Sequence, residues 1–405
     1  MTSRTSRARR RTGSGPPGPG VGGVVIGGGC QGLGIARSLG RHGIPVCLID
    51  DEISIARASR FVKDTIRVRD LRTEQALLDA LALARERLSI SGWVLYPTRE
   101  ENIAGIAANR DELSREFRVP TPELASIRHA WDKREVYRLA EQLSIPVPRT
   151  WFPRSEDDLA AVDVDGPVVL KPAIKEHFFY ATRAKAWRAD TAAELVTAYR
   201  RATEIMPASE IIIQEMIPGG GEQQYAYCAF FRGGSPVASM TARRRRQHPS
   251  DFGVASTFVE TISMPELAKP SCRFLTAIDY YGLVELEYKR DPRDDKCKLL
   301  DVNARTWGYH SLGAAAGVDF PYLLFLDQIG APVQEAQARP GVRWIRLSTD
   351  VPNALRDMWA GRLSPGEYLG SLRDIRTEAV FSISDPLPGL YEIGLLPFLA
   401  VKRGL

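Results

Sequence analysis

The chain has 405 residues, 44% of them apolar and 25% charged, enough to bury sizeable cores and to fill two to three domains at roughly 100–200 residues each. Its net charge of +5 would suggest a polyanionic partner if it were spread over the body, but Arg4, Arg7, Arg9, Arg10 and Arg11 crowd the N-terminus; the remainder is near neutral and no nucleic-acid partner is expected. Five cysteines without a C-x-x-C pair argue against a disulfide framework or a zinc cluster, and no run approaches the about 18 apolar residues of a spanning helix, so no stable membrane insertion is expected.

Residues 1–22 are rich in Arg, Ser, Thr, Gly and Pro and lack the apolar stretch of a signal peptide, which predicts a disordered basic tail and a cytoplasmic location. A strand over Gly23–Ile26 runs into Gly27-Gly28-Gly29-Cys30-Gln31-Gly32, followed by a helix to about His42 and a strand from Val46 to Ile49 that ends at Asp50. Gly27, Gly29 and Gly32, with an acid about twenty residues on, match a dinucleotide fingerprint. Alone, that pattern points to an NAD-linked oxidoreductase or a bare nucleotide-binding module. Trp93–Thr98 is a later strand, Glu100 or Glu101 opens the next helix, and Pro120–His129 reads as a link to a second domain. There Asp132-x-x-Glu135 is a helix start of the capping-box kind, and Ile145-Pro146-Val147-Pro148 ends the helix.

Gly166–Pro172 is a short apolar strand ending in Lys171, whose ammonium can sit on a phosphate as a point charge. Lys175, His177 and Lys185 follow on what reads as a loop and strand, a lid over phosphates. Ile211–Glu215 is a β-branched strand containing Gln214. After it, Ile217 and the glycine turn can offer backbone groups to a base edge, and Glu222 can accept sugar hydroxyls. In Arg243–Pro249, strand alternation puts Arg243 and Arg245 on one face and Arg244 and Arg246 on the other. One pair can enter a cleft and grip a carboxylate or its acyl phosphate, with Arg243 and Arg246 as the candidates; aromatic residues that would stack bases are not interleaved.

Leu283–Lys289 and Lys296–Val302 flank a turn at Asp291–Asp295 and predict an antiparallel hairpin. Residues two apart share a face, so Glu285 and Glu287 lie together, as do Asp301 and Asn303, while Val284, Leu286 and Tyr288 turn to the core. Glu287, Asp301 and Asn303 then make a set of hard oxygen ligands suited to magnesium beside a nucleotide. Arg305 stands next to them, at the start of a helix expected over Thr306–Ala316.

The order Lys133, Lys171, Glu215 with Ile217, Glu222, Glu287, then Asp301, Asn303 and Arg305 resembles the ATP-grasp superfamily over about residues 20–330. Within it the chain is similar to predicted carboxylate-amine ligases related to D-aspartate ligase, most closely at Lys171–Phe178, Arg243–Pro249 and Phe252-Gly253. The resemblance implies an α/β protein: the basic tail, a Rossmann-like domain over 23–125 whose glycine turn faces the acceptor substrate, a two-lobed α+β ATP-grasp domain over 126–330, and a C-terminal extension over 331–405. It implies ATP with Mg2+ or Mn2+ as cofactors, small-molecule carboxylate and amine substrates, and a fold compatible with a homo-oligomer. Lys133 and Lys171, with Lys185 on the lid, would meet phosphates, Gln214, Glu215 and the backbone of Ile217 the adenine, and Glu222 the ribose. Glu287, Asp301 and Asn303 would hold the metal, and Arg305 the transferred phosphoryl group. The family's usual Glu-x-Asn is Asp301-x-Asn303 here, and Gln214 stands where many members carry an acid. An ATP-grasp phosphotransferase without an amide product would use the same metal site. Beyond residue 331 the expectations are local: a strand at Arg343–Leu347, a short helix at Asn353–Trp359 and a terminal helix from Gly389.

Overall fold

The computed structural model describes residues 20–163, 166–248 and 255–403, with side chains to residue 396. Most of the expected basic tail, Pro249 and the Phe252-Gly253 pair lie outside the described residues.

The described residues form three sheets. Strands β1 (Gly23–Ile26), β2 (Val46–Asp50), β3 (Val62–Arg67) and β4 (Val94–Pro97) are parallel in the order β3-β2-β1-β4. β1, β2 and β4 are buried along their whole length, hence their continuous apolar runs. Gly27 has φ +94, a conformation that favours glycine. A Cβ on Gly32 would lie 2.1 Å from the carbonyl oxygen of Gly27, so this glycine lets helix Cys30–Arg41 pack tightly on β1.

β5 (Thr150–Trp151), β6 (Val168–Pro172), β7 (Trp187–Ala189) and β8 (Ile211–Glu215) form a small antiparallel sheet in the order β5-β8-β6-β7. The third and largest sheet contains β9 (Gln224–Arg232), β10 (Ser235–His248), β11 (Ala255–Ile262), β12 (Gly282–Arg290), β13 (Cys297–Asn303), β14 (Ala336–Gln337), β15 (Arg343–Ile345) and β16 (Ile375–Glu378). Its order is β13-β12-β9-β10-β11-β15-β16, with β14 beside β10. β9 is buried on both faces: Ala226, Cys228 and Phe230 join the core shared with helix Cys30–Arg41, and Tyr227, Ala229 and Phe231 join the core under helices Lys133–Gln142 and Ala268–Ala277. Val284, Leu286 and Tyr288 of β12 pack into the second core, as period two requires.

Several elements differ from expectation. The expected linker Pro120–His129 contains the start of helix Leu124–Trp131. Asp132 caps helix Lys133–Gln142 by accepting from the Arg134 N–H at 2.9 Å, but Glu135 turns to Arg138 at 2.9 Å and leaves the capping box half made. The expected lid loop after Lys171 is helix Lys175–Thr182. Arg305 opens no helix, because the next one is confined to Ser311–Ala315. The short helix near Asn353 is longer, Leu347–Trp359, and tolerates Pro352. The terminal helix is Leu387–Arg403.

Residues beyond 331 are woven into the rest. β14, β15 and β16 extend the large sheet, and Asp385, fully buried, accepts from Arg37 Nε at 2.9 Å, Ser59 Oγ at 2.7 Å and the Arg60 N–H at 3.0 Å. No helix of the described residues is long and apolar enough to cross a membrane.

Candidate active site

The β12–β13 hairpin pairs Glu285 with Asn303 and Glu287 with Asp301, which puts all four side chains on one face at the floor of a cleft. Asn303 Nδ2 donates to Glu285 Oε2 and to Glu287 Oε1, both at 3.0 Å. Lys133 Nζ lies 2.6 Å from Asp301 Oδ1, and Arg305 Nη2 donates to Asn303 Oδ1 at 3.1 Å. Burial, then the charge of Glu287, pushes the Glu285 carboxyl up to about 7, and the Tyr309 hydroxyl donates to it. Burial also opposes ionisation of Asp301, but the Lys133 ammonium outweighs it and holds the carboxyl below its usual range. Crowded carboxylates on a face that also carries an amide oxygen suit a hard divalent cation, which Glu287, Asp301 and Asn303 could hold.

The cavity of about 200 Å³ above this face is lined also by Lys133, Lys185, Arg244 and Arg305, of which Lys133, Arg244 and Arg305 touch the face itself. Lys185 is half-buried; loss of hydration, then the charge of Lys175, pushes its ammonium down to about 8. Lys171 reaches the Tyr137 hydroxyl at 2.5 Å and Gln214 Oε1 at 2.8 Å, and Gln214 Nε2 donates to Thr150 Oγ1 at 2.8 Å. Gln214 therefore bridges the two strands on the Lys171 side.

Strand parity sends the next residue the other way. The Glu215 carboxylate is bound by Arg149, Lys298 and Arg293 at 3.3, 3.4 and 3.0 Å, so it ties the small sheet to the hairpin and is not open to a base, contrary to expectation. The carbonyl of Ile217 accepts from Lys289 Nζ at 2.8 Å, as does that of Gly219 at 2.7 Å. Glu222 is exposed and accepts from the Gly220 N–H at 3.0 Å.

The arginine run also departs from expectation. Arg243 and Arg245 both pair with Glu260, at 3.6 and 3.2 Å. A bulge between Arg244 and Arg246 breaks the register with β11, and Arg246 grips buried Asp350 through Nε at 2.9 Å and Nη2 at 2.8 Å. Neither Arg243 nor Arg246 enters the cleft. Arg244 does, 3.1 Å from Glu287 Oε2. His177 is held by Glu210 at 2.6 Å.

Glu100, Arg244, Tyr309 and Lys289 had not been singled out. Glu100 follows the carboxyl end of β4, where open parallel sheets gather ligands. It binds Arg305 Nη2 at 2.5 Å and Lys175 Nζ at 3.1 Å. Burial opposes its charge, but these two cations hold the carboxyl well below the usual range. Glu100 thus joins the glycine-turn domain to the metal face through Arg305.

No family model matches the sequence. Over 300 residues the chain is 25% identical to the D-aspartate ligase of Enterococcus faecium (strain Aus0004), covering 70% of each chain. The L-amino acid ligase of Bacillus licheniformis matches with a TM-score of 0.58 at 16% identity, over 76% of this chain and 74% of that one. The biotin carboxylase domain of the Hydrogenobacter thermophilus 2-oxoglutarate carboxylase, solved with MgADP, ADP and bicarbonate, gives 0.62 at 13% identity, over 79% and 73%. The chain is thus similar in sequence to a D-aspartate ligase, and in fold to an L-amino acid ligase and a biotin carboxylase domain.

Proposed function

We propose that the protein is an ATP-dependent carboxylate-amine ligase that phosphorylates a substrate carboxylate, passes the acyl group to an amine and releases ADP and phosphate. The supporting observation is the single face formed by Glu287, Asp301 and Asn303, with Lys133 and Arg305 in contact with it and Lys185 lining the same cavity. Glu287, Asp301 and Asn303 would hold Mg2+ or Mn2+, which supplies neutralisation of charge on the nucleotide phosphates. Lys133, Lys171 and Lys185 position those phosphates, and Arg244 and Arg305 hold the oxygens between which the phosphoryl group moves. The adenine would lie along the connector after β8, whose carbonyls Lys289 fixes. No nucleophilic side chain is required.

An ADP-release screen over amino acids and amines, followed by mass spectrometry of the product, tests this. D-aspartate is the first carboxylate to try, given the relative's name. Phosphate release that depends on an amine separates a ligase from a phosphotransferase. Mg-ATP at about 100 times its Kd should stabilise the protein by about 2.7 kcal/mol, seen as a raised melting temperature, while NAD and NADP leave it unchanged. A dinucleotide complex with no ATP response contradicts the reading.

Lys171→Ala and Arg305→Ala should separate binding from chemistry. The lysine meets a phosphate already charged in the bound nucleotide, so its loss raises the Kd for ATP. Arg305 serves a group that forms during transfer, so its loss lowers kcat by about 100-fold or more with ATP affinity nearly intact. Steady-state kinetics with equilibrium nucleotide binding checks both; weakened ATP binding at an unchanged maximal rate would remove Arg305 from the transfer step.

A further inference from the structure

The terminal helix Leu387–Arg403 is apolar on more of its circumference than the fold covers. Tyr391 and Leu395 pack on the core shared with helix Cys30–Arg41. Gly389 lets Phe381 approach, since a Cβ there would lie 2.6 Å from the ring. Glu392 is fully buried and pairs with Arg346 at 2.6 Å. Elsewhere on the helix Leu387, Leu390, Ile393 and Leu396 recur every third residue, and they remain 56%, 62%, 51% and 39% exposed. Just before the helix, Ile383 is wholly exposed. A helix that is apolar all round is ordinarily buried all round, and contiguous apolar surface of this kind marks contact with a partner or a membrane.

The charges bordering this helix have one sign. From Ala379 to Leu396 the only acids are Asp385 and Glu392, both buried and both engaged by arginines. The turn Ala56–Ala58 packs against the helix, and the Arg60 N–H just after that turn donates to Asp385. From Ile53 to Lys63 the chain has Arg57, Arg60 and Lys63, all exposed, and no acid. Arg57 and Arg60 form no ion pair among the described residues. In the sequence the helix ends on Lys402 and Arg403, and five arginines without an acid precede Gly20. A second copy of the chain fits this face poorly: an isologous contact sets one patch against itself and would bring Arg57 and Arg60 up to their counterparts. A neutral apolar partner leaves the cations unanswered. An anionic bilayer surface answers both features at once, with acyl chains for the leucine stripe and headgroup phosphates for the arginines.

We propose that helix Leu387–Arg403 docks flat on an anionic membrane surface, with Leu387, Leu390, Ile393 and Leu396 entering the boundary between headgroups and acyl chains and Arg57 and Arg60 meeting lipid phosphates. The helix lies on the bilayer and does not span it. The docked face borders the cleft. Ile53, itself 44% exposed, and Leu395 line a cavity of about 340 Å³ that shares Lys175, Arg305 and Arg346 with the metal-side cavity. Docking therefore holds the cleft close to the bilayer, whatever reaction the cleft performs.

Co-sedimentation of the full chain with vesicles tests the docking. Vesicles of equal parts phosphatidylglycerol and phosphatidylcholine should carry the protein down at low salt, and vesicles of phosphatidylcholine alone should not. Leu390→Glu with Ile393→Glu should weaken binding about 100-fold, since burying each such side chain is worth about tenfold or more. The melting curve should stay in place, because both side chains already face solvent. That variant keeps every basic residue, so undiminished binding would assign the membrane contact to the arginine-rich N-terminus and overturn the proposal. Arg57→Gln with Arg60→Gln leaves the stripe intact and should weaken binding about 30-fold at low salt, a difference that screening removes near about 0.5 M salt. Equal binding to neutral and anionic vesicles, or none to either, overturns the proposal as well. Sedimentation velocity without vesicles covers the remaining occupant: a dimer that Leu390→Glu with Ile393→Glu converts to monomer makes this face a subunit contact and removes the membrane from it.

Discussion

Glu287→Gln and Asn303→Ala are each expected to reduce turnover by two orders of magnitude or more while the fold survives. Metal neutralisation of a transferring phosphoryl group supplies several kcal/mol, and each 1.4 kcal/mol or so is a factor of ten in rate. Glutamine keeps the shape of Glu287 and can still meet Asn303, but it loses the charge that pairs with Arg244 and would hold the ion. Asn303→Ala removes the amide that joins Glu285, Glu287 and Arg305. The side chains that stabilise the hairpin, Leu286 and Tyr288 on β12 and Leu299 and Val302 on β13, pack into a core and are untouched. Circular dichroism and melting curves should therefore stay near the parent's, and the magnesium concentration for half-maximal rate should rise in Glu287→Gln. Near-normal turnover in both variants would mean that the metal sits elsewhere.

How much of this could be read from the sequence depends on the kind of signal each residue leaves. The hairpin was legible because a period of two is a local rule: Glu285, Glu287, Asp301 and Asn303 had to share a face once the strands were paired. The same rule foretold that the Arg243–Arg246 run would split between faces, and it failed at Arg246 because a bulge is invisible in composition. Glu215 was expected at the adenine, but strand parity turns it away from the Lys171 side, where Gln214 points, and onto Arg149, Arg293 and Lys298. Glu100 was legible only as a helix opener, which it is; its site role was not, since its partner Arg305 is 205 positions away and nothing local marks such an acid as buried. The C-terminal strands were missed or shortened for another reason. β14, β15 and β16 have two to four residues each, too few for a periodic pattern, and they exist because the large sheet provides edges and neighbours for them.

That dependence leads to the second large expected effect, on stability. Asp350 is fully buried on helix Leu347–Trp359 and accepts two bonds from Arg246 and one from Thr257 Oγ1 at 2.7 Å. Arg246 in turn lies over the rings of Phe258 and Tyr368, 4.5 and 5.0 Å from their centroids. Asp350→Ala strands that guanidinium among aromatic rings, and breaking one side of a buried pair costs about 3–5 kcal/mol. For a chain of this size the melting temperature should fall by about 4–6 °C. Glu156→Ala, which breaks an exposed pair with Arg200 at 2.6 Å, should leave the melting curve where it was. The double replacement Arg246→Met with Asp350→Leu should recover much of the loss, because a buried ion pair stabilises little over a well-packed apolar pair and most of the single-variant penalty is the orphaned charge. If Asp350→Ala instead melts with the parent, Arg246 must find water or another acceptor at no cost. The helix would then be an appendage on β10 and no brace for it, and Arg246 would be free to serve the cleft after all.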